Sequence, residues 1–217
     1  MNTKLAIYGA GGFGRETAVL IGQINARKQT WEVIGFFDDG IRKNDEVDGL
    51  KILGNIGDLN AWPHELSVCV AVADPAIRID LVRRIANRKI NFPSIIHPQA
   101  ITGDLGRNSI GRGSIITAGV ILTTGIELGE FSIVNLSSTI GHDVKLGPCS
   151  TVMPACSISG NVSIGSRCVL GTGSRIIQGI TIGENCMVGA GSVVTKSFGS
   201  NLKILGVPAR KRMSHVE

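Results

Sequence analysis

Stepping by six from Ile110, the chain presents Ile110, Ile116, Leu122, Leu128, Val134, Ile140, Leu146, Val152, Ile158, Ile164, Leu170, Ile176, Ile182, Val188 and Val194, fifteen aliphatic residues without an exception. The residue four further on is small or apolar throughout, from Ser114 and Val120 through Cys156, Cys168 and Cys186 to Ser192, with Phe198 at the end. A six-residue period with one bulky and one small inward residue per repeat is what a left-handed parallel β-helix requires. Three repeats close a triangular coil, and coils stack roughly 4.8 Å apart. Fourteen repeats over 110–193 give between four and five coils, with no loop inserted because the register never slips. Glycine directly after the aliphatic residue, as in "IG" and "LG", is expected to ease the tight corner. Backward of Ile110 the register fails at Asp104 and Pro98, so the junction falls near "IIHPQAITGDLGRN". The expected domains are 1–97 and 98–217.

The first part has a different period. The apolar run "KLAIY" is followed by "GAGGFGRE", then by "TAVLIGQIN" with helical spacing, then by the strand-like "EVIGFFDD". Strand, glycine turn, helix, strand is a βαβ unit. "LSVCVAVA" reads as a third buried strand, and "DPAIRIDLVRRIANRK" as a helix capped by Asp74, with Pro75 at its first position, running to about Asn87. The fold class is therefore a small Rossmann-like α/β domain followed by a left-handed β-helix.

Composition agrees and narrows the partners. Glycine is high at 29 and there is one tyrosine, which suits tight turns and small aliphatic layers. A net charge of +5 without a dense basic block before the last dozen residues permits an anionic small molecule but does not argue for nucleic acid. No apolar run reaches membrane-spanning length, and "MNTKLAIYGAGG" meets glycine before a signal-type core could form, so the chain reads as cytoplasmic. Five cysteines without a CxxC pair read as reduced thiols, and the three in the small inward position as a core ladder.

Two motifs carry chemistry. Gly9, Gly11 and Gly14 satisfy GxGxxG between a strand and a helix, where backbone amides and the helix N-terminus attract phosphate. An NAD site would add Asp38 as the ribose acid, but about a hundred residues leave no room for the second mononucleotide half. The other motif is His142-Asp143, two outward residues at a corner of the coil. On pattern alone the pair reads first as a solvated corner, with a catalytic base as the alternative. A zinc site on the coils needs three histidines, whereas His64, His97 and His215 all lie outside them.

Taken together, "YGAGGFGRE", "FFDD", "SIIHP", "GHD" and "GVPAR" resemble bacterial acetyltransferases of the sialic-acid O-acetyltransferase (NeuD) type, a group that includes the nucleotide-sugar amine N-acetyltransferases PglD and PerB. The resemblance covers nearly the whole chain. It implies a homotrimer, acetyl-CoA as donor with no metal, and an amino- or hydroxy-sugar, often nucleotide-linked, as acceptor in bacterial surface-glycan synthesis. His142 would be the general base, since imidazole titrates near neutrality, at about 6.5 unperturbed, and Asp143 would hold its other ring nitrogen. Gly11, Gly12 and Phe13 would line the acceptor's phosphates, Asp38 and Asp39 would reach its base or ribose, and Ala73 would make a further acceptor contact. Thr151, Gly160, Thr172 and Ala190 fall at donor-contacting positions. Phe13 stands where PglD and PerB carry histidine, and Thr151 where PglD does. The tail offers Pro208, Arg210 and Lys211 either to the CoA phosphates or to solvent. N-acetylation of a nucleotide amino sugar is the leading reading and O-acetylation of sialic acid or another sugar its rival. A non-catalytic nucleotide-binding module on a trimeric stem and an NAD-dependent sensor are alternatives from other classes.

Overall fold

Residues 5–8 of the opening run are wholly buried in β1 (Thr3–Tyr8), the pattern of a central parallel strand covered on both faces. The computed structural model describes residues 3–104 and 106–212, and the chain divides into two units, Met1–Pro98 and Gln99–Glu217. In the first, β1 lies between β2 (Trp31–Phe37) and the five-residue, fully buried β5 (Leu66–Val70). The sheet continues outward through β4 (Leu50–Gly54) and β3 (Glu46–Val47) on one side and β6 (Ile90–Asn91) on the other. Only the β3–β4 hairpin is antiparallel. Helices α1 (Gly12–Arg27), α2 (Ile56–Asn60) and α3 (Pro75–Arg84) complete the unit. The α2 turn and the β3–β4 hairpin were not legible as separate elements. The expected helix to Asn87 stops three residues early: Ile85 turns extended with φ −75 and ψ 100, and beyond it Asn87 Nδ2 donates to the carbonyls of Leu59 and Trp62 at 3.2 and 2.9 Å.

The second unit is the parallel β-helix that the period demands. Fifteen two-residue strands, from Ser109–Ile110 to Val193–Val194, start every six residues. They stack five to each of three faces, and the third face is extended by Lys203–Gly206 and Ala209–Lys211. Pairing is offset by one coil: Ile140 lies on Ile158, and Ile158 on Ile176. Every aliphatic residue of the series is buried except Ile110, which is half-buried in the first strand. The thiols of Cys156, Cys168 and Cys186 are buried too and donate to the carbonyls of Gly171, Gly183 and Gly199 at 3.2, 3.1 and 3.1 Å. Burial pushes the Cys168 thiol up to about 11, which keeps it neutral.

The corners are built differently from expectation. Left-handed backbone recurs every six residues, but at the third residue after the aliphatic one, and side chains as large as Phe131 (φ 55) and Arg167 (φ 58) adopt it. The glycines directly after the aliphatic residue have ordinary φ. What they supply is proximity: a Cβ on Gly129 would lie 2.5 Å from the Pro148 nitrogen of the next coil, and one on Gly165 2.5 Å from the Glu184 nitrogen.

Candidate active site

Three strand ends meet in the first unit. The Gly9 amide donates to the Phe37 carbonyl at 2.8 Å and the Ala71 amide to the Tyr8 carbonyl at 2.8 Å, so β2, β1 and β5 finish side by side. The chain leaves β1 for β2 on one side and later crosses from β4 to β5 on the other, so the strand order reverses here, and that is where open α/β sheets bind ligands, outside the carboxyl ends of their strands. The structure thus brings Gly11, Gly12, Phe13, Asp38, Asp39 and Ala73 to one end of one sheet.

The glycines of the loop do separate jobs. Gly9 has φ +100, which favours glycine. A Cβ on Gly14 would run into the Gly9 carbonyl, so Gly14 lets α1 pack against the loop. Gly11 and Gly12 are exposed, and a Cβ on either would meet nothing within 4 Å. Folding does not require glycine at these two positions. Gly11 caps α1 without a side-chain hydrogen bond, and no acid lies in the first turn, so the positive end of a sixteen-residue helix opens beside them.

Asp38 and Asp39 are already engaged within the domain. Asp38 accepts from the Ala10 and Gly40 amides, both at 2.8 Å, and so braces the glycine loop from the end of β2. Asp39 accepts from the Tyr8 hydroxyl at 2.6 Å and the Ile56 amide at 2.9 Å, with Arg84 at 3.5 Å. Burial and then the Asp39 hydrogen bond push the Tyr8 phenol well above its ordinary range. The loop holding Ala73 is fixed by a residue that the sequence did not flag. Arg78, fully buried in α3, donates to the carbonyls of Val72 and Ala73 at 2.5 and 3.0 Å. In the sequence it is one of several arginines on an amphipathic helix and carries no distinguishing signal.

In the second unit, His142 and Asp143 follow the strand Thr139–Ile140 around a corner. Asp143 holds the recurring left-handed position with φ 58, which turns its carboxylate back on its neighbour. Oδ2 lies 2.8 Å from His142 Nδ1, and the side chains are 49% and 60% exposed in the single chain. In the tautomer protonated at Nδ1, the carboxylate fixes the ring and leaves Nε2 unprotonated, the arrangement a general base needs. The coil below contributes Gly160, which is buried and follows Ser157–Ile158 at the same corner.

Thr151, Thr172 and Ala190 group elsewhere. Thr151 opens a strand of another face and is 1% exposed. Thr172 and Ala190 are exposed one coil apart, at the corner that follows Val169–Leu170 and Met187–Val188. The donor candidates therefore divide between two corners of the prism. Pro208, Arg210 and Lys211 lie in or beside the hairpin formed by Lys203–Gly206 and Ala209–Lys211. Among the described residues, no group of three or more His, Cys, Asp or Glu could hold a metal ion, and no helix is long and apolar enough to cross a membrane.

Known proteins share this arrangement over its whole length. The PglD N-terminal domain family matches residues 4–85, and the hexapeptide repeat of succinyl-transferase matches residues 161–196. The acetyltransferase domain of PglB from Neisseria gonorrhoeae is 30% identical, with a TM-score of 0.89 over 97% of this chain and 100% of that one. The chain belongs to the NeuD/PglD/PerB family of sugar acetyltransferases. A second family structure, PerB from Caulobacter crescentus in complex with CoA and GDP-perosamine, is 29% identical with a TM-score of 0.83 over 97% of each chain. GDP-perosamine N-acetyltransferase of Escherichia coli O157:H7 is 30% identical over 136 residues, which span 63% of this chain and 61% of that enzyme.

Proposed function

We propose that this family member transfers the acetyl group of acetyl-CoA to the amine of a nucleotide-linked amino sugar, with His142 as general base. The observation that carries the reading is the His142–Asp143 contact at 2.8 Å, on a chain whose relatives include a structure that holds CoA together with GDP-perosamine. His142 Nε2 takes the proton as the acceptor nitrogen attacks the thioester carbonyl. The C–S bond breaks, and the proton passes from the imidazolium to the departing sulfur, so CoA leaves as the thiol. Asp143 holds the ring and stabilises the imidazolium that forms. No acyl-enzyme is needed.

The acceptor binds at the strand ends of the first unit. Gly11 and Gly12 leave an open backbone cradle at a helix N-terminus, which is chemistry for a diphosphate. Phe13, Asp38, Asp39 and Ala73 border it, and Asp38 also keeps the loop in shape through its bond to the Ala10 amide. Acetyl-CoA runs along the coils past Gly160, Thr172, Ala190 and Thr151. One prism keeps these on different sides, so the donor groove forms between two copies, in a homotrimer. Between residues 185 and 212 the sequence has no acid and five cations, Lys196, Lys203, Arg210, Lys211 and Arg212, which suits the CoA phosphates. The enzyme works in the cytoplasm, where acetyl-CoA and nucleotide sugars are made.

The test is a panel of nucleotide amino sugars and hydroxyl-only analogues incubated with acetyl-CoA, following free thiol release. Turnover is expected only with an amine, and His142→Ala is expected to lower it about 100- to 10,000-fold. Turnover with the hydroxyl-only acceptors alone establishes O-acetylation instead. A folded His142→Ala protein at near-normal rate refutes the base assignment.

A further inference from the structure

We propose that Gly160 and Gly125 are positioning residues, two missing side chains that form a slot between successive coils in which the His142–Asp143 pair is held. The inference rests on the reading of His142 as the base and gives Gly160 a role beyond a donor contact.

The repeat supplies its own comparison set. Stepping by six from Arg112 to Ala190 gives the fourteen residues that share the corner position of His142, and Gly160 is the single glycine among them. Its φ is not in the left-handed region, so the backbone does not demand glycine there. The position beneath His142 is instead occupied from above. A Cβ on Gly160 would lie 2.7 Å from His142 Cδ2 and closer still to Cε1 and Nε2. Ala118 and Ala190 occupy the same position in other repeats, so the coil accepts a methyl group there and only the imidazole does not.

Gly125 does the same for the carboxylate from the coil above. Its left-handed φ of +70 recurs at the equivalent corners, where Gly113, Gly119, Gly173, Gly179 and Gly191 also stand, and Ala155 with φ 58 shows that the conformation tolerates a methyl group. A Cβ on Gly125 would lie 2.5 Å from Asp143 Oδ1, while Oδ2 bonds His142. Asp143 thus rests on one bare backbone and His142 on another. The two coils are tied to the pair by the Asp143 amide donating to the Thr124 carbonyl at 3.0 Å and the Asn161 amide to the His142 carbonyl at 2.8 Å. A methyl group at either glycine displaces one partner and breaks the contact. Misplacing a reacting group by about 1 Å costs about 100-fold in rate.

Gly160→Ala and Gly125→Ala in the full-length protein test this by histidine ¹⁵N NMR, with acetyl-CoA affinity measured alongside. In both variants the His142 resonances are expected to lose the Nδ1-protonated pattern and approach those of Asp143→Ala, while in Gly125→Ala the acetyl-CoA Kd changes less than about threefold. With an acceptor that turns over, kcat is expected to fall about 100-fold in both, with KM for acetyl-CoA retained in Gly125→Ala. Unchanged His142 resonances in both variants overturn the proposal, as does a Gly160→Ala effect confined to acetyl-CoA Kd. If one variant does not fold, the other decides by the same spectrum. Should His142→Ala keep its activity, the base reading falls, and the spectra still decide whether the glycines position the ring.

Discussion

Removing the Asp143 carboxylate separates a working dyad from a solvated corner. Asp143→Ala deletes the bond to His142 without straining the backbone, because Ala155 already occupies the equivalent left-handed corner with φ 58. A hydrogen bond to a charged group contributes about 1.5–3 kcal/mol when water is excluded, and an ion pair between open side chains about 0.3–1 kcal/mol. The two partners are 49% and 60% exposed in the single chain, so an isolated prism belongs to the second regime. At about 1.36 kcal/mol per tenfold in rate, the regimes correspond to losses of about 10- to 150-fold and about 2- to 5-fold. In the proposed homotrimer, where a second copy would close the corner, the larger loss in kcat is expected, measured as thiol release at saturating acetyl-CoA. Asp143→Asn keeps an uncharged acceptor and should fall between, at about 5- to 15-fold, the difference of about 1–1.5 kcal/mol between charged and neutral hydrogen bonds. Asn fits the corner, since Asn161 and Asn185 hold it with φ 56 and 55. A loss of fivefold or less in Asp143→Ala, beside an inactive His142→Ala, would refute the claim that the carboxylate works in a closed cleft.

Gly12→Ala adds a methyl group that meets no protein atom within 4 Å. Stability should hold or rise by up to about 1 kcal/mol, while KM for the nucleotide sugar rises at least about tenfold; an unchanged KM would remove the phosphate cradle. Gly129→Ala places a Cβ 2.5 Å from the Pro148 nitrogen and should destabilise the coil by about 1–3 kcal/mol in denaturant titration. Gly199→Ala, with nothing within 4 Å, should stay within about 0.5 kcal/mol. Equal effects would show that coil spacing is not what fixes these glycines. Burial and then the Arg27 charge hold the His97 imidazole below its ordinary value, with Gln23 Oε1 at 2.8 Å from Nε2. The unfolded chain takes up that proton more readily, so the contribution is complete above about pH 6.5 and is lost as pH falls through that value. Urea unfolding at pH 7 and pH 5 should show the loss, and His97→Gln should reduce it.

The coil was legible because each repeat restates the same demand. One aliphatic residue in six must be buried, and fifteen of them fixed the register before any contact was known. The glycines were visible but their reason was only partly so: propensity assigns glycine to left-handed backbone, yet that conformation also falls on Phe131, Cys149 and Arg167, while Gly129 and Gly165 serve distance between coils. Contacts across sequence were beyond reach for the same cause. Nothing local to "FFDD" shows that Asp38 spends an oxygen on the Ala10 amide, 28 residues away, and nothing in "PAIRIDLVRR" marks Arg78 as the buried one.

The same distinction sharpens the reading of His142 and Asp143. Adjacent residues do not generally touch, but here the second falls on a corner whose left-handed backbone recurs in every repeat. The coil by itself therefore brings a corner His and the Asp after it into contact, and the 2.8 Å bond alone would be as compatible with an idle pair as with a working one. What an idle pair would not need is space cleared above and below it. Gly125 and Gly160 lie one coil to either side, at positions where the fold elsewhere accepts alanine, and each lacks the one carbon that would disturb the pair. The fold explains the contact and suits glycine at the left-handed corner of Gly125; at Gly160 the backbone asks for none, and a use for the imidazole accounts for that omission.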